Sequence, residues 1–168
     1  MLIRREAPGD GPAIHHVHSE AFARDGKPGE REAALADRLR ADGDTIPALS
    51  LVAEIDGSVV GHLAGSRAHI ADLASAAIGP VGVLPGHQGN GVGSALMHAV
   101  LAAADALEFP EVVLLGSPAY YHRFGFRLAQ PLGVLPPDPD WSHHLQIRTL
   151  AAWTADRTGV FRFVPAFD

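Results

Sequence analysis

The sequence contains no cysteine in its 168 residues. Disulfide bonds, thiolate catalysis and zinc–thiolate sites are therefore excluded. The chain also lacks an excess of basic residues, because its formal net charge at pH 7 is -6. A nucleic-acid partner is disfavoured, since binding phosphate groups requires clustered Lys and Arg side chains.

Long apolar runs are also missing, and none approaches the ~18 consecutive apolar residues of a membrane span. The first residues, Met1 to Glu6, lack the apolar core of a signal peptide, which predicts a cytoplasmic protein without a membrane partner. Hydrophobic residues make up 47% and charged residues 19% of the chain. This composition is typical of a globular protein, and the length predicts a single domain spanning residues 1–168.

The most informative stretch runs from Ala76 to Leu107. A short apolar run breaks at Pro85-Gly86, and a glycine-rich segment then leads into residues with helical periodicity. This pattern predicts a strand, a turn and a helix. Gly89, Gly91 and Gly93 allow close approach of the backbone, and a helix start offers unpaired N–H groups to an anion. The alternative is an ordinary turn that needs glycine for its dihedral angles.

Two common phosphate-binding motifs do not fit this turn. Gly86 and Gly91 have the spacing of a Walker A loop, but Val92 and Gly93 stand where that loop needs Lys and Ser or Thr. A dinucleotide fingerprint requires G-x-G-x-x-G, whereas the spacing here is G-x-G-x-G. Neither nucleotide-binding motif is therefore present.

The stretch instead resembles the acetyl-CoA-binding motif of the GNAT family of N-acetyltransferases, V-x-P-x-x-[Q/R]-x-x-G-x-[G/A]. The matching residues are Val83, Pro85, Gln88, Gly91 and Gly93. A second segment, from Ala119 to Phe126, is similar to the family's A-x-x-Y-x-x-x-G-F motif: Tyr121, Gly125 and Phe126 match its Y-x-x-x-G-F part, and Ala119 lies one residue closer to the tyrosine than the motif's alanine. Two motifs in this order, separated by one predicted helix and one strand, are more specific than either alone.

This resemblance implies a GNAT fold of the α/β (α+β) type, with a mixed central sheet of about seven strands and flanking helices. It also implies acetyl-CoA as co-substrate, no metal, and pairing into homodimers, which is common in the family. The CoA would lie along the strand that ends at Val83 and against the amides of the turn. The implied cofactor-binding residues are Val81, Gly82, Val83, Gln88, Gly89, Asn90, Gly91, Val92, Gly93, Ser94 and Tyr121.

Elsewhere the patterns predict a conventional order of strands and helices. Asp56-Gly57 marks a hairpin between strands at 49–55 and 58–66, and a further loop is expected before the strand at 76–83. Gly79-Pro80 within that strand suggests a bulge or a close approach by another chain. The other predicted elements are strands at 2–5, 111–115, 126–128, 145–150 and 160–164, a helix after Asp10, and helices at 30–41 and 117–124.

In the family, a tyrosine protonates the departing CoA thiolate, and the resemblance assigns this role to Tyr121, with Tyr120 as the second choice. The general base stays open. No acidic residue lies between Ala74 and Val83, where several family members carry a glutamate. The candidates are His69, which we favour for its neutral-pH titration, and then His62, Glu20 and Asp72; a further alternative is that no dedicated base exists.

Other polar side chains have weaker interpretations. His15 and His18 are three residues apart on a predicted helix, but no third metal ligand is evident, so we expect surface histidines. Asp25, Glu30 and Glu32 fall in the region that lines the acceptor side in GNAT proteins. They would bind a cationic amine or, equally, form a solvated face.

The function predicted from this resemblance is acetyl transfer from acetyl-CoA to an amine, most simply one on a small molecule. An acidic protein attracts such a cation. Two alternatives remain: transfer to a protein or peptide amine, and a non-catalytic acyl-CoA-binding sensor. Tyr121 favours the enzyme, and the missing strand carboxylate favours the sensor.

Overall fold

The computed structural model describes residues 1–168, which form a nine-stranded mixed sheet with helices on both faces. The helices are α1 (Gly11–Ala21), α2 (Glu30–Ala41), α3 (Val92–Ala106) and α4 (Pro118–Tyr121). The strands are β1 (Leu2–Arg5), β2 (Leu51–Ile55), β3 (Ser58–Ile70), β4 (Leu73–Val83), β5 (Glu111–Leu115), β6 (Arg127–Leu128), β7 (Val134–Leu135), β8 (Leu145–Thr149) and β9 (Gly159–Phe163).

The strand order is β1-β2-β3-β4-β5-β8-β6, so seven strands form one continuous path. The remaining two, β7 and β9, pair with each other, and β9 also pairs with the end of β3. Only β4–β5 and β7–β9 are parallel. The first of these pairs is connected by α3, because parallel neighbours need a crossover between them. The predicted mixed α/β class is confirmed.

Alternation along the strands places the helices on opposite faces. Leu51 and Ala53 of β2 point into the largest core cluster, together with the buried face of α3. Between them, Val52 points the other way and packs with Ile14 of α1 and Ala36 of α2. Side chains on successive strand residues face opposite sides. The sheet therefore separates α3 from the α1–α2 pair.

The prediction of a loop between residue 66 and β4 is wrong. β3 continues to Ile70 and β4 starts at Leu73, so only Ala71 and Asp72 connect the two strands. Ala71 adopts a left-handed conformation with φ of 51°. Its sequence carries no Gly or Asn signal for a tight turn, and this absence explains the error. The proline-rich segment from Pro131 to Trp141 contains the short strand β7, which the sequence did not predict and which pairs with β9.

β4 separates from β5 where the sequence predicted an irregularity. Only Ala76 and Ala77 of β4 pair with β5. Immediately beyond them the β3–β4 register shifts, so that Gly79 and Pro80 lie opposite a single residue of β3. Such a bulge bends a strand away from its neighbour. The distal half of β4, which leads to Val83, therefore borders an opening beside β5.

Candidate active site

The turn that follows β4 leaves a row of backbone donors free. None of the amides from Gly89 to Ser94 has a backbone acceptor within the chain. Gly89 and Gly91 have φ of 75° and 82°, a region that suits glycine. No side chain caps α3, and its first turn holds no acidic residue. These free N–H groups and the helix dipole together favour an anion.

The Gln88 side chain holds this turn against the strand. Its Nε2 donates a hydrogen bond of 3.0 Å to the Val83 carbonyl oxygen. The glutamine of the first motif therefore fixes the position of the turn relative to the strand end. The backbone amide of Gln88 donates a hydrogen bond to the Pro85 carbonyl oxygen, whereas the backbone amides from Gly89 to Ser94 stay available to a ligand.

The free amides face a cleft of about 560 Å³, which we call the loop cleft. Every residue that the sequence assigned to cofactor binding lines it except Asn90. Sequence reasoning missed Ala21, Phe22, His87, Tyr120 and Arg123, which also line it. The Arg123 guanidinium lies 5.0 Å from the centre of the Tyr120 ring, which is a cation–π contact. The residue spacing in the second motif does not predict this contact.

A second cleft of about 600 Å³, which we call the aromatic cleft, joins the first. The two share Phe22, Val81, Tyr120 and Tyr121. Its other walls come from α2, from β4 and the end of β5, and from the C-terminal segment. The residues that line only this cleft are Arg24, Arg31, Glu32, Leu35, Ile78, Gly79, Pro80, Leu115, Gly116, Ser117, Trp141, Phe163 and Phe167.

Tyr121 lies at the junction of the two clefts. Burial, together with the neighbouring Tyr120, raises the pKa of the Tyr121 hydroxyl to about 12. The two tyrosine rings meet edge to face at 4.9 Å. Tyr120 also lines both clefts, but its hydroxyl points towards the start of α3, where it would lie 2.8 Å from a Cβ built on Gly93. The Tyr121 ring instead packs against Gly116, at the end of β5.

The base candidates taken from the sequence line neither cleft. His69 is exposed on β3, and Asp72 is exposed in the turn after it, where it pairs with Arg162. Glu20 is exposed on α1, and His62 is buried in the sheet. Glu32 of α2 is instead the one carboxylate among the residues that line the two clefts. The sequence had suggested Glu32 only as a ligand for a cationic amine and not as a base.

A buried polar network lies behind the loop cleft. His18 Nε2 is 2.8 Å from His62 Nδ1, and His62 Nε2 is 3.4 Å from a Glu6 carboxylate oxygen. Ser50 and Arg40 also donate hydrogen bonds to Glu6. Because His62 Nε2 faces a carboxylate, it carries the proton, and His62 Nδ1 accepts from His18. The remaining His18 Nδ1 is then unprotonated, buried and unpartnered.

The expectation that His18 is a surface residue is therefore wrong: its side chain is 0% exposed, whereas His15 and His16 are exposed. His18 packs against Gly82 of β4, where an added Cβ would lie 2.8 Å from His18 Nδ1. The burial of His18 results from tertiary packing, because this contact joins α1 to a strand that is distant in sequence. No group of three or more His, Cys, Asp or Glu side chains is placed to hold a metal. No helix is long and apolar enough to span a bilayer.

The splayed sheet and the two joined clefts define an acyltransferase of the class that the motifs resemble. The family model described as Acetyltransferase (GNAT) family matches residues 12–126. The chain therefore belongs to the GNAT family of acetyltransferases.

Similar proteins agree with this assignment. The N-acetyltransferase YhbS of Escherichia coli K12 is 37% identical over 132 residues, which cover 77% of this chain and 75% of YhbS. YjhQ, an N-acetyltransferase of the same strain, is 32% identical over 151 residues, covering 87% of this chain and 81% of YjhQ.

Two solved structures resemble the whole chain. The crystal structure of E. coli YhbS in complex with CoA has a TM-score of 0.90 and 30% identity, and the match covers 99% of this chain and 91% of YhbS. A GNAT family acetyltransferase from Brucella melitensis in complex with acetyl-CoA has a TM-score of 0.81 and 32% identity, with coverage of 99% and 97%.

Proposed function

We propose that this protein transfers the acetyl group of acetyl-CoA to an amine on a small molecule. The observation that carries this proposal is the row of unpaired amides from Gly89 to Ser94 beside the gap between β4 and β5. The CoA diphosphate would bind these amides, and the pantetheine arm would lie along β4 from Val83 towards Val81. Similar GNAT structures hold CoA or acetyl-CoA, which supports this placement.

Anchoring at the loop cleft would aim the thioester at the junction with the aromatic cleft. Binding energy from the remote phosphates holds the reacting carbonyl in position. A backbone N–H at the end of β4, which we assign to Val83, would stabilise the oxyanion that forms. The amine nitrogen then attacks the carbonyl carbon, and the carbon–sulfur bond breaks to release CoA.

Tyr121, which the motif assigns as the general acid, would stabilise the departing sulfur. Its raised pKa of about 12 keeps the hydroxyl protonated at neutral pH. Because this pKa exceeds the ~8.5 of a thiol, complete proton transfer is uphill. We therefore expect Tyr121 to act mainly by donating a hydrogen bond to the thiolate as it forms. The thiolate then takes its final proton from solvent.

Glu32 would hold the ammonium group and accept its proton, directly or through a water molecule. It is half-buried, and no ion pair of the chain involves it. A carboxylate in this position suits general base catalysis. We do not retain His69 in this role, because it lines neither cleft.

Calorimetry with acetyl-CoA tests the first step, and release of free thiol on mixing with a panel of amines tests the second. We expect micromolar binding and turnover of some amines. Gly91→Val should weaken binding at least tenfold, because it forces a side chain into a left-handed position and narrows the phosphate site. Gly43→Val is the matched control, because Gly43 has φ of 74° and lines neither cleft.

Binding without turnover of any amine would instead support an acyl-CoA sensor. Failure to bind acetyl-CoA at all would overturn the proposed function.

A further inference from the structure

The aromatic cleft differs in charge from the protein around it. It is lined by two guanidinium groups, Arg24 and Arg31, and by one carboxylate, Glu32, whereas the whole chain has a net charge of -6. An electropositive cleft in an acidic protein attracts a ligand that carries a negative charge.

Both arginines are free to bind such a ligand. Neither Arg24 nor Arg31 belongs to any ion pair of the chain, and both are exposed. By contrast, Arg4 pairs with Asp10, and Arg157 pairs with the buried Glu111. A guanidinium binds a carboxylate through two parallel hydrogen bonds. An unpaired arginine at a cleft wall is therefore suited to an acidic group on the ligand.

The same cleft also has an aromatic wall, which is made by Trp141, Phe163 and Phe167. The Trp141 and Phe163 rings meet edge to face at 6.3 Å, and Phe163 and Phe167 lie 4.5 Å apart. All three are only half-buried, so part of each ring remains available. A ring on the ligand can pack against these side chains, because aromatic rings attract one another in offset or edge-to-face arrangements.

We propose that the acceptor is an amino acid with an aromatic side chain, or a similar aromatic amino-carboxylate. This inference rests on the proposed function and specifies its acceptor. The ring packs on the aromatic wall, the carboxylate binds Arg24 and Arg31, and the amine lies near Glu32, facing the thioester at the junction marked by Val81 and Tyr121.

The volume of the cleft is consistent with this class of acceptor. About 600 Å³ lies within the usual range for small-molecule sites, roughly 300–1,000 Å³. Each chemical group of an aromatic amino acid also has a counterpart among the lining residues. An aliphatic diamine or a lysine side chain would leave both arginines without a partner and place a second cation beside them.

Matched substrates provide the test. L-Phenylalanine and 2-phenylethylamine share a ring and an amine and differ in the carboxylate, and L-tryptophan and tryptamine form a second pair. We expect kcat/KM for each amino acid to exceed that of its decarboxylated partner by at least tenfold. The difference should reside mainly in KM, because the carboxylate binds alike in the ground and transition states.

The variant Arg24→Gln/Arg31→Gln should reduce this preference to less than threefold while leaving acetyl-CoA affinity unchanged. Both side chains are exposed, so the fold should tolerate the exchange. Arg127→Gln is the control, because Arg127 is also exposed but lines neither cleft. It should keep the full preference.

Three results would overturn the inference: equal or faster turnover of the decarboxylated amines, a preference that survives the double substitution, or acetylation confined to lysyl peptides. If no member of the panel is acetylated while acetyl-CoA still binds, the acceptor class is wrong and the cofactor site stands. Loss of acetyl-CoA binding in the unmodified protein would refute the proposed function, and the acceptor assignment with it.

Discussion

Tyr121 is the residue that stabilises the departing sulfur in the proposed reaction. It lies where the two clefts meet, and its environment keeps it protonated. The motif in the sequence identifies this tyrosine but not the raised pKa of its hydroxyl. That shift depends on burial by residues from several elements and on the neighbouring ring of Tyr120.

Replacing Tyr121 by Phe should lower kcat by about 10- to 100-fold, because the departing thiolate loses a hydrogen-bond donor while the ring and its packing remain. Stopped-flow or steady-state thiol release measures the change. Tyr120→Phe should act on KM for acetyl-CoA instead, since its hydroxyl approaches Gly93. An unchanged kcat in Tyr121→Phe would refute the assignment.

Glu32→Gln should lower kcat/KM for the amine by roughly 100-fold, because the amide cannot accept the ammonium proton. The affinity for acetyl-CoA should stay the same. Glu30→Gln is the matched control, an exposed residue of the same helix that lines neither cleft. Equal activity of the two variants would remove Glu32 from the mechanism.

At the scale of elements, the end of β4, the turn after it and the helix α3 are well predicted from the sequence. Glycine and proline mark the bulge and the turn, and apolar periodicity marks the helix, so local signals suffice. The bounds of α2 and β5 also agree with the structure. The continuation of β3 to Ile70 was missed because Ala71 and Asp72 give no Gly or Asn turn signal. The burial of His18 was missed because its partner His62 is remote in sequence.

The contact between α1 and β4 gives a prediction at this scale. Gly82→Ala should destabilise the protein by about 1–3 kcal/mol, because the new Cβ would lie 2.8 Å from His18 Nδ1 in a packed site. Gly86→Ala should change stability by about 0.5 kcal/mol or less, since a Cβ there would have no neighbour within 4 Å. Urea denaturation compares the two, and equal loss in both would contradict this packing.

For the whole molecule, the buried network of Glu6, His62 and His18 links stability to pH. Burial, and then repulsion from His62 when that imidazole is protonated and from the charged Arg40, lower the pKa of His18 from 6.5 to about 3. Burial alone would raise the pKa of Glu6, but hydrogen bonds from His62, Arg40 and Ser50 outweigh it and lower that pKa from 4.5 to about 2.

Both shifts make the protein less stable in acid. The unfolded chain binds a proton at His18 below pH 6.5, whereas the folded chain does so only near pH 3. The free energy of unfolding therefore falls as the pH drops through this range, and Glu6 adds to the loss below about pH 4.5. The His18 contribution at pH 5 is about 2 kcal/mol relative to pH 8.

Urea titrations at pH 8 and pH 5 measure this difference. His18→Gln keeps an N–H donor for His62 but does not titrate, so its pH dependence should be smaller by about 2 kcal/mol. The exposed His15→Gln should retain the full dependence. An identical slope in His18→Gln and the unmodified protein would show that His18 titrates normally.

The border shared by the two clefts also bears on the kinetic order of the reaction. The two clefts share the residues Phe22, Val81, Tyr120 and Tyr121. A bound thioester would therefore form one wall of the aromatic cleft, where the amine binds. The amine should then associate productively only after acetyl-CoA. This order corresponds to a sequential ternary-complex scheme, in which free CoA inhibits competitively against acetyl-CoA and non-competitively against the amine.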